Sequence, residues 1–354
     1  MTQTVVLAMS GGVDSSVAAL LLVEGGFRVI GVTLRLYDAC SDPGAKTCCG
    51  LEDAYDARAV AAKLGIEHRV LERQEAFRTL VIEPFVQAYA RGRTPNPCIA
   101  CNEKVKFGTL WGYASSIGAD ALATGHHARL VPVGEGVELR RGKDLSKDQS
   151  YVLFPLTLEQ RRRTLLPVGN WTKTEVREKA RSAGLLTAEK MESQDICFVG
   201  TGHYADFLAG RLGTVRPGVI RGEDGAVLGH HEGIHRYTVG QRQGLGIPAT
   251  QPLYVKAIDP HSGDITVGPR GSGAPRRFKT ERWHWHCKED ERPCEAHVQV
   301  RYRQTPRRVR FIEEGPSVVL EWLEGPQSVT PGQAAVAYRG DVVLGGGWIS
   351  GSVE

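Results

Sequence analysis

Val5–Met9 (VVLAM) is an uninterrupted apolar run that ends in the turn SGG and gives way to a helical apolar pattern from Val17 to Val23. The order predicted is strand, tight turn, helix. RVIGVTLRL (28–36) reads as a second strand. LEDAYDARAVAAKLG (51–65) reads as a helix with Ala and Leu three and four apart and a glycine stop, and HRVLE as a third strand. EAFRTLVIEPFVQAYARG predicts a helix with a proline inside it, KFGTLWGYASSIG (106–118) a further helix, and ADALATGHH (119–127) a strand running into a loop. Helical patterns continue through 157–166 and 173–184. This alternation predicts an α/β fold built on a doubly wound parallel sheet.

After about residue 205 glycine and proline rise and the pattern shortens to alternating segments, VLGHHEGIHRYTVGQ, LYVKAI and DITVG. The final stretch alternates in HVQVRYR, SVVLEWL, AAVAYRG and DVVLGGGWIS, which predicts a small antiparallel β-barrel. GSGAPRR (271–277) is the expected linker. The division expected is 1–205 for the catalytic domain, 206–275 for a small central domain and 276–354 for the barrel.

Length and composition narrow the class of protein. The 354 residues suffice for two or three domains, and 41% apolar with 24% charged residues is ordinary for a globular chain. No run approaches the roughly 18 apolar residues of a membrane span. The start MTQTVVLAMSGG has neither a basic n-region nor a long apolar h-region, so no signal peptide and a cytoplasmic address are expected. Eight cysteines, unevenly spaced, do not form a secreted disulfide scaffold. Cys40, Cys48 and Cys49 are expected to be surface thiols. Cys98 and Cys101 could be half a zinc site, a redox dithiol, iron–sulfur ligands or a catalytic pair. Neither Cys287 with Cys294 nor Cys48 with Cys49 has the spacing of a partner pair for zinc. A net charge of +4 does not by itself imply nucleic acid, but RYRQTPRRVR (301–310) holds five arginines and no acid. A solvated face and a phosphate-binding face both fit that run.

SGGVDSS (10–16) lies between a strand and a helix. Gly11 and Gly12 permit close backbone approach, Ser10, Ser15 and Ser16 supply hydroxyls, and the helix start offers unpaired N–H groups, so the turn is an anion nest. No lysine follows, which separates it from the Walker A loop. The residues match S-G-G-x-D-S and resemble the PP-loop ATP pyrophosphatases. That resemblance implies ATP cleaved between its α and β phosphates, pyrophosphate held by the loop, and Asp14 coordinating Mg²⁺ or orienting the loop.

TPNPCIACNEKVKF (94–107), ALATGHHARL (121–130), LSKDQSYVLF (145–154), ESQDICFVG (192–200), TVGQRQGLGI (238–247), RYRQ (301–304), TPGQAAV (330–336) and LGGGWI (344–349) follow in that order. With them the chain resembles the bacterial tRNA-specific 2-thiouridylases from end to end. The resemblance implies ATP-dependent 2-thiolation of the wobble uridine in the lysine, glutamate and glutamine tRNAs. The uridine C2 oxygen is adenylated and sulfur then replaces it. By motif position Cys101 is the nucleophile and Cys197 the persulfide carrier, the two ending in a transient disulfide. The implied ATP site is Ala8, Met9, Ser10, Gly11, Gly12, Val13, Asp14 and Ser15, with Leu34 and Gly125, the glycine being expected to admit adenine to the backbone. The implied tRNA contacts are Asn96, Pro97 and Cys98 at the target base, His126, Lys147, Asp148, Gln149, Arg301, Tyr302 and Gln333. His127 is read as a satisfied loop histidine. Arg303, Arg307, Arg308 and Arg310 are expected at phosphates. A cysteine desulfurase or a sulfur-relay protein would donate the sulfur.

Many members carry Asp where this chain has Cys98. The change removes a carboxylate expected to do acid/base work. It also completes a set, Cys98, Cys101 and Cys197, that could ligate three irons of a 4Fe–4S cluster, a second route for the sulfur. Two rival functions fit parts of the chain. Another PP-loop adenylating ligase would not need the two cysteines. An RNA-binding module with a decayed ATP site is opposed by the complete SGGVDSS.

Overall fold

The computed structural model of the chain describes residues 2–37, 51–191, 196–199, 204–213, 215–314 and 317–353, the side chains of residues 51, 313 and 314 excepted. Cys40, Cys48 and Cys49 lie outside them, as does the stretch 192–195 just before Cys197. The chain divides into two compact units, one of residues 1–81, 97–202 and 340–343, the other of 82–96, 203–339 and 344–354.

The first unit is built on β1 (Thr4–Ala8), β2 (Arg28–Arg35), β3 (Glu67–Glu72), β4 (Ala121–Thr124) and β7 (Thr164–Leu165), with the hairpin β5 (Ala128–Val133) and β6 (Gly136–Arg141) following β4. The sheet order is β3-β2-β1-β4-β7 and every registered pair is parallel. Val5, Val6 and Leu7 in β1 are fully buried because helices cover both faces of a parallel sheet. Helix α1 (Val13–Glu24) and helix α2 (Leu51–Leu64) pack Val17, Leu20, Ala57, Val60 and Ala61 into the same core as β1. The chain leaves β1 toward β2 and β3, then returns to lay β4 on the other side of β1. This reversal opens a crevice at the carboxyl ends of β1 and β4.

Three local expectations are corrected. The pattern read as helical over 157–166 holds only for Leu158–Arg162, capped by reciprocal Thr157 and Gln160 bonds. Thr164 and Leu165 instead pair with Leu122 and Ala123, since an open sheet edge satisfies their backbone. The β5–β6 hairpin has no counterpart in the expected elements. The helix expected over 106–118 starts earlier, as a turn Pro97–Ala100 that runs into a π-helical segment Cys101–Leu110 and the helix Trp111–Ser116. Wide π turns recur at functional sites, and this one begins on a cysteine.

In the second unit a mixed sheet, β10-β11-β8-β9, is made by β8 (Gly218–Gly222), β9 (Val227–His231), β10 (Leu253–Ile258) and β11 (Ile265–Pro269) around Ile220, Val255, Ile265 and Val267. The remaining strands are β12 (Arg277–Trp285), β13 (Glu295–Gln299), β14 (Arg307–Glu314), β15 (Ser317–Trp322), β16 (Ala334–Arg339) and β17 (Val342–Val353). Hydrogen bonding runs β12-β15-β14-β13-β16-β17 and back to β12, closing a six-stranded barrel that leaves no edge within it. Four of the six runs are visible as alternating sequence. β14 is disguised by its arginines, yet Val309 faces the core between outward Arg308 and Arg310. Across the ladder both guanidiniums meet Glu295, at 2.9 and 3.3 Å.

Candidate functional site

β1 ends at Ala8, and the next residues turn through Ser10, Gly11 and Gly12 into α1. Gly11 is required twice over. Its φ is +69°, and a Cβ there would lie 2.2 Å from the carbonyl oxygen of Asp53 in the first turn of α2. Gly12 caps α1 with an extended backbone and no side chain. The first bond of the helix runs from Ser16 N–H to Gly12 O (3.1 Å), so the N–H groups of Val13, Asp14 and Ser15 have no acceptor within it. The Ser15 and Ser16 hydroxyls both donate to Gly12 O (3.0 and 2.9 Å), and Ser10 N–H donates to Ser15 Oγ (3.3 Å). These bonds hold the turn and leave the helix-start N–H groups for an outside acceptor, as an anion nest requires.

The pocket at the carboxyl ends of β1, β2 and β4 is lined by Ala8, Met9, Ser10, Asp14, Ser15 and Leu34, by Thr124, Gly125 and His126, and by Val32, Leu36, Lys106 and Gln149. It thus brings together Ala8, Met9, Ser10, Asp14, Ser15, Leu34 and Gly125 of the expected ATP residues. Gly11, Gly12 and Val13 stand in the turn behind the lining. Gly125 is also crowded from within the chain. A Cβ there would lie 2.7 Å from Ser15 N and 2.8 Å from Asp14 C, so this glycine lets the phosphate loop lie against β4.

Asp14 is the hub. The Lys173 ammonium donates to both its carboxylate oxygens (2.8 and 2.7 Å), and His127 Nε2 lies 2.9 Å from Oδ1. Burial works against ionisation of Asp14, but the His127 hydrogen bond and the charges of Lys173 and His127 outweigh it and hold the carboxyl below its ordinary range. Lys173 is the first residue of the helix Lys173–Ser182, fixed by a reciprocal capping box between Thr172 and Glu175. A loop without its own lysine is thus given one. His127, read as a satisfied loop histidine, finds its partner in Asp14 of the phosphate loop.

His126, beside it, is buried. Its Nδ1 lies 2.7 Å from Thr124 Oγ1 and its ring stacks on Phe107. Burial, then the positive charge of Lys106, pushes its pKa well below the ordinary histidine value, so it stands neutral. Gln149 clasps the next residue twice, its side chain accepting from His127 N–H and its N–H donating to His127 O, both at 2.9 Å. The buried Asp148 carboxylate accepts from Gly142 N–H and from the Ser150 N–H and hydroxyl, which shapes this loop from within. Lys147 bonds through its N–H to Asp144 O.

The cysteine-bearing segment borders the pocket through Lys106. Cys98 is exposed, Cys101 and Cys197 are half-buried, Pro97 is buried and Asn96 half-buried. Asn102 is buried and donates to Val152 O at 3.2 Å, anchoring the residue after Cys101. Among the described residues no group of three or more His, Cys, Asp or Glu could hold a metal ion.

In the second unit the Arg301 guanidinium donates to Val239 O (2.9 Å) and Thr330 Oγ1 (2.7 Å), the ring of Tyr302 lies 5.3 Å from the Arg303 guanidinium, and Gln333 donates to Thr94 O (2.7 Å). Lys173 and Lys106 escape sequence reasoning. Neither sits in a phosphate motif, and only the fold brings Lys173 to Asp14 of the loop and Lys106 to the pocket lining.

Three family models match in succession: a tRNA methyl transferase HUP domain over residues 3–205, a tRNA methyl transferase PRC-barrel domain over 205–269 and an aminomethyltransferase β-barrel domain over 275–349. The tRNA-specific 2-thiouridylase MnmA of Geobacter metallireducens is 46% identical over 99% of this chain and 97% of its own length. That of Rhodospirillum centenum is 47% identical over 98% of this chain and 91% of its own, and that of Geotalea uraniireducens 46% over 99% and 96%. A solved 4-thiouridine synthetase–RNA complex with bound ATP covers 59% of this chain and 50% of its own at 18% identity and a TM-score of 0.38, a superposition too loose to carry an argument. The full-length matches take in both units, and they decide the matter: the chain belongs to the tRNA-specific 2-thiouridylases, sulfurtransferases that act on tRNA.

Proposed function

We propose that the protein binds ATP on the Ser10–Ser16 loop and adenylates the C2 oxygen of the wobble uridine in the lysine, glutamate and glutamine tRNAs. Sulfur from a Cys197 persulfide then replaces that oxygen. The observation that carries the reading is the pocket itself, in which the phosphate loop and Lys106, from the segment that begins at Cys101, line one cavity.

Uridine O2 is a poor leaving group, and transfer of AMP to it makes a good one. The N–H groups at the start of α1 and the Lys106 ammonium would take up charge on phosphate oxygens as the α–β bond breaks. Mg²⁺ would offset charge on the triphosphate. In this reading Asp14 orients the loop through Lys173 and His127. The wobble base must leave its stack to reach the pocket. Asn96, Pro97 and Cys98 would meet it. His126, Lys147, Asp148, Gln149, Arg301, Tyr302 and Gln333 would contact the anticodon loop by side chain or backbone.

The terminal sulfur of the Cys197 persulfide attacks C2 and AMP departs with the former O2. The Cys101 thiolate then attacks Cys197 Sγ. The Cys101–Cys197 bond forms, the bond from Cys197 to the transferred sulfur breaks, and its electron pair stays on that sulfur as the 2-thiocarbonyl. A free cysteine of pKa about 8.5 is mostly protonated at neutral pH, which is why the more acidic persulfide is the better donor. An external thiol reduces the disulfide, and a cysteine desulfurase or relay protein reloads Cys197.

Single-turnover assays with persulfidated protein, ATP and unmodified tRNA test the sequence of events. AMP and 2-thiouridine should appear in equal amounts, and Cys101→Ser or Cys197→Ser should abolish thiolation while Cys98→Ser retains part of it. Release of ADP in place of AMP would refute the adenylation step. Equal loss in all three cysteine variants, with iron and sulfide in anaerobically purified protein, would replace the persulfide route by a cluster.

A further inference from the structure

Two aromatic rings connect the elements that bear the sulfur chemistry. Phe198 directly follows Cys197 and is 1% exposed, and Phe77, which ends the helical turn Gln74–Phe77, is equally buried. Their ring centroids are 5.7 Å apart with planes at 73°, an edge-to-face contact. The turn that ends at Phe77 also packs against Cys101–Leu110. One ring therefore grips the neighbour of one cysteine from an element that lies on the segment of the other. Neither phenylalanine has a chemical part in the reaction proposed above.

From this we infer that Phe77 is a positioning residue for the thiol–thiol step: it seats Phe198 and so sets the reach from Cys197 to Cys101. The inference rests on the two-cysteine reading of the site. A disulfide tolerates little error, since its Cα atoms must come within about 7 Å with suitably aimed Cβ vectors. Anchoring the residue after Cys101 through Asn102 fixes one partner, and the Phe77–Phe198 contact fixes the other. Aromatic pairs of this geometry are stabilised beyond their buried area, so losing the ring edge is expected to slow closure about five- to tenfold.

Phe77→Leu tests this while keeping an apolar side chain in place, where alanine would open a destabilising cavity. The measurement is closure of the Cys101–Cys197 disulfide in the full-length protein alone with oxidised glutathione, followed by peptide mass spectrometry. Two protein thiols are oxidised and one glutathione disulfide is reduced to two thiols. Closure should slow about five- to tenfold in Phe77→Leu and in Phe198→Leu, and no further in the double variant, because both remove one contact. Alkylation of Cys101 and tRNA-dependent pyrophosphate release should stay as in the unmodified protein. Unchanged closure in Phe77→Leu, or effects that multiply in the double variant, would overturn the positioning role alone. Failure of the unmodified protein to form the disulfide would bring down the two-cysteine reading and this inference with it.

Discussion

The ammonium of Lys173 lies 2.8 and 2.7 Å from the two carboxylate oxygens of Asp14, joining the start of the helix Lys173–Ser182 to the phosphate loop. Lys173 is buried and the Asp14 side chain is 29% exposed, so the pair is shielded well enough to matter. Lys173→Met leaves His127 to hold the carboxylate. Unfolding in urea should show a loss of about 1–3 kcal/mol, the cost of leaving a partly buried charge short of a partner. tRNA-dependent AMP formation should fall at least about tenfold, equivalent to roughly 1.4 kcal/mol of transition-state stabilisation. A destabilised protein that forms AMP at the normal rate would show that Lys173 only props up the loop.

Two glycines should respond in opposite ways to alanine. At Gly125 the new methyl would press on Ser15 N and Asp14 C, both under 3.0 Å, and backbone cannot swing aside as a side chain can. Gly125→Ala should cost about 1–3 kcal/mol and weaken ATP binding, read by calorimetry. Gly112 lies within the helix Trp111–Ser116 with open space around its Cβ position. Gly112→Ala should therefore raise stability by about 0.5–1 kcal/mol and leave ATP affinity alone.

Acid should weaken the site in two steps with one sign. His126 has a folded pKa well below its ordinary 6.5, so as pH falls below 6.5 the unfolded chain takes a proton that the folded chain refuses, and stability drops. Asp14 has a folded pKa below its ordinary 3.8. Its contribution is fully present above that value and is lost as pH falls from there through the folded pKa. Denaturant midpoints measured from neutral pH downward should decline first in the histidine window. His126→Asn should reduce that first decline, to which the likewise lowered His68, His231 and His235 also contribute, and Asp14→Asn should reduce only the second.

Arg308 and Arg310 share Glu295 on the outside of the barrel, with about half of each arginine side chain exposed. Such pairs contribute about 0–1 kcal/mol, so both arginines can turn to phosphate at little cost. Arg308→Ala should weaken all tRNA substrates alike and flatten the salt dependence of binding by about one unit of slope. A slope that does not change would assign Arg308 to Glu295 alone.

Much of the fold is local and was therefore legible in the chain. The alternation of apolar runs with helical patterns predicted the parallel sheet, because a strand covered on both faces must read as continuous Val, Leu and Ile, as VVLAM does. SGGVDSS predicted its own conformation for the same reason. Glycine dihedrals, serine hydroxyls and the open end of a helix are properties of consecutive residues. Elements whose pattern is diluted stayed hidden: β14 beneath its arginines, the two-residue β7, and the hairpin after β4.

What the sequence alone determined is the chemistry on offer: an anion-binding loop, two separated cysteines in motifs of a tRNA-thiolating family, and a β-rich tail. What only the tertiary structure decided is which distant groups meet that chemistry. Lys173 comes to Asp14 over a separation of 159 residues, Phe77 to Phe198, and Asp53 to Gly11. The physical reason is that periodicity and turn chemistry act over a few residues. Contacts of high sequence separation depend on which strand lies beside which, and the register of β1 between β2 and β4 is settled only when the whole sheet buries its faces.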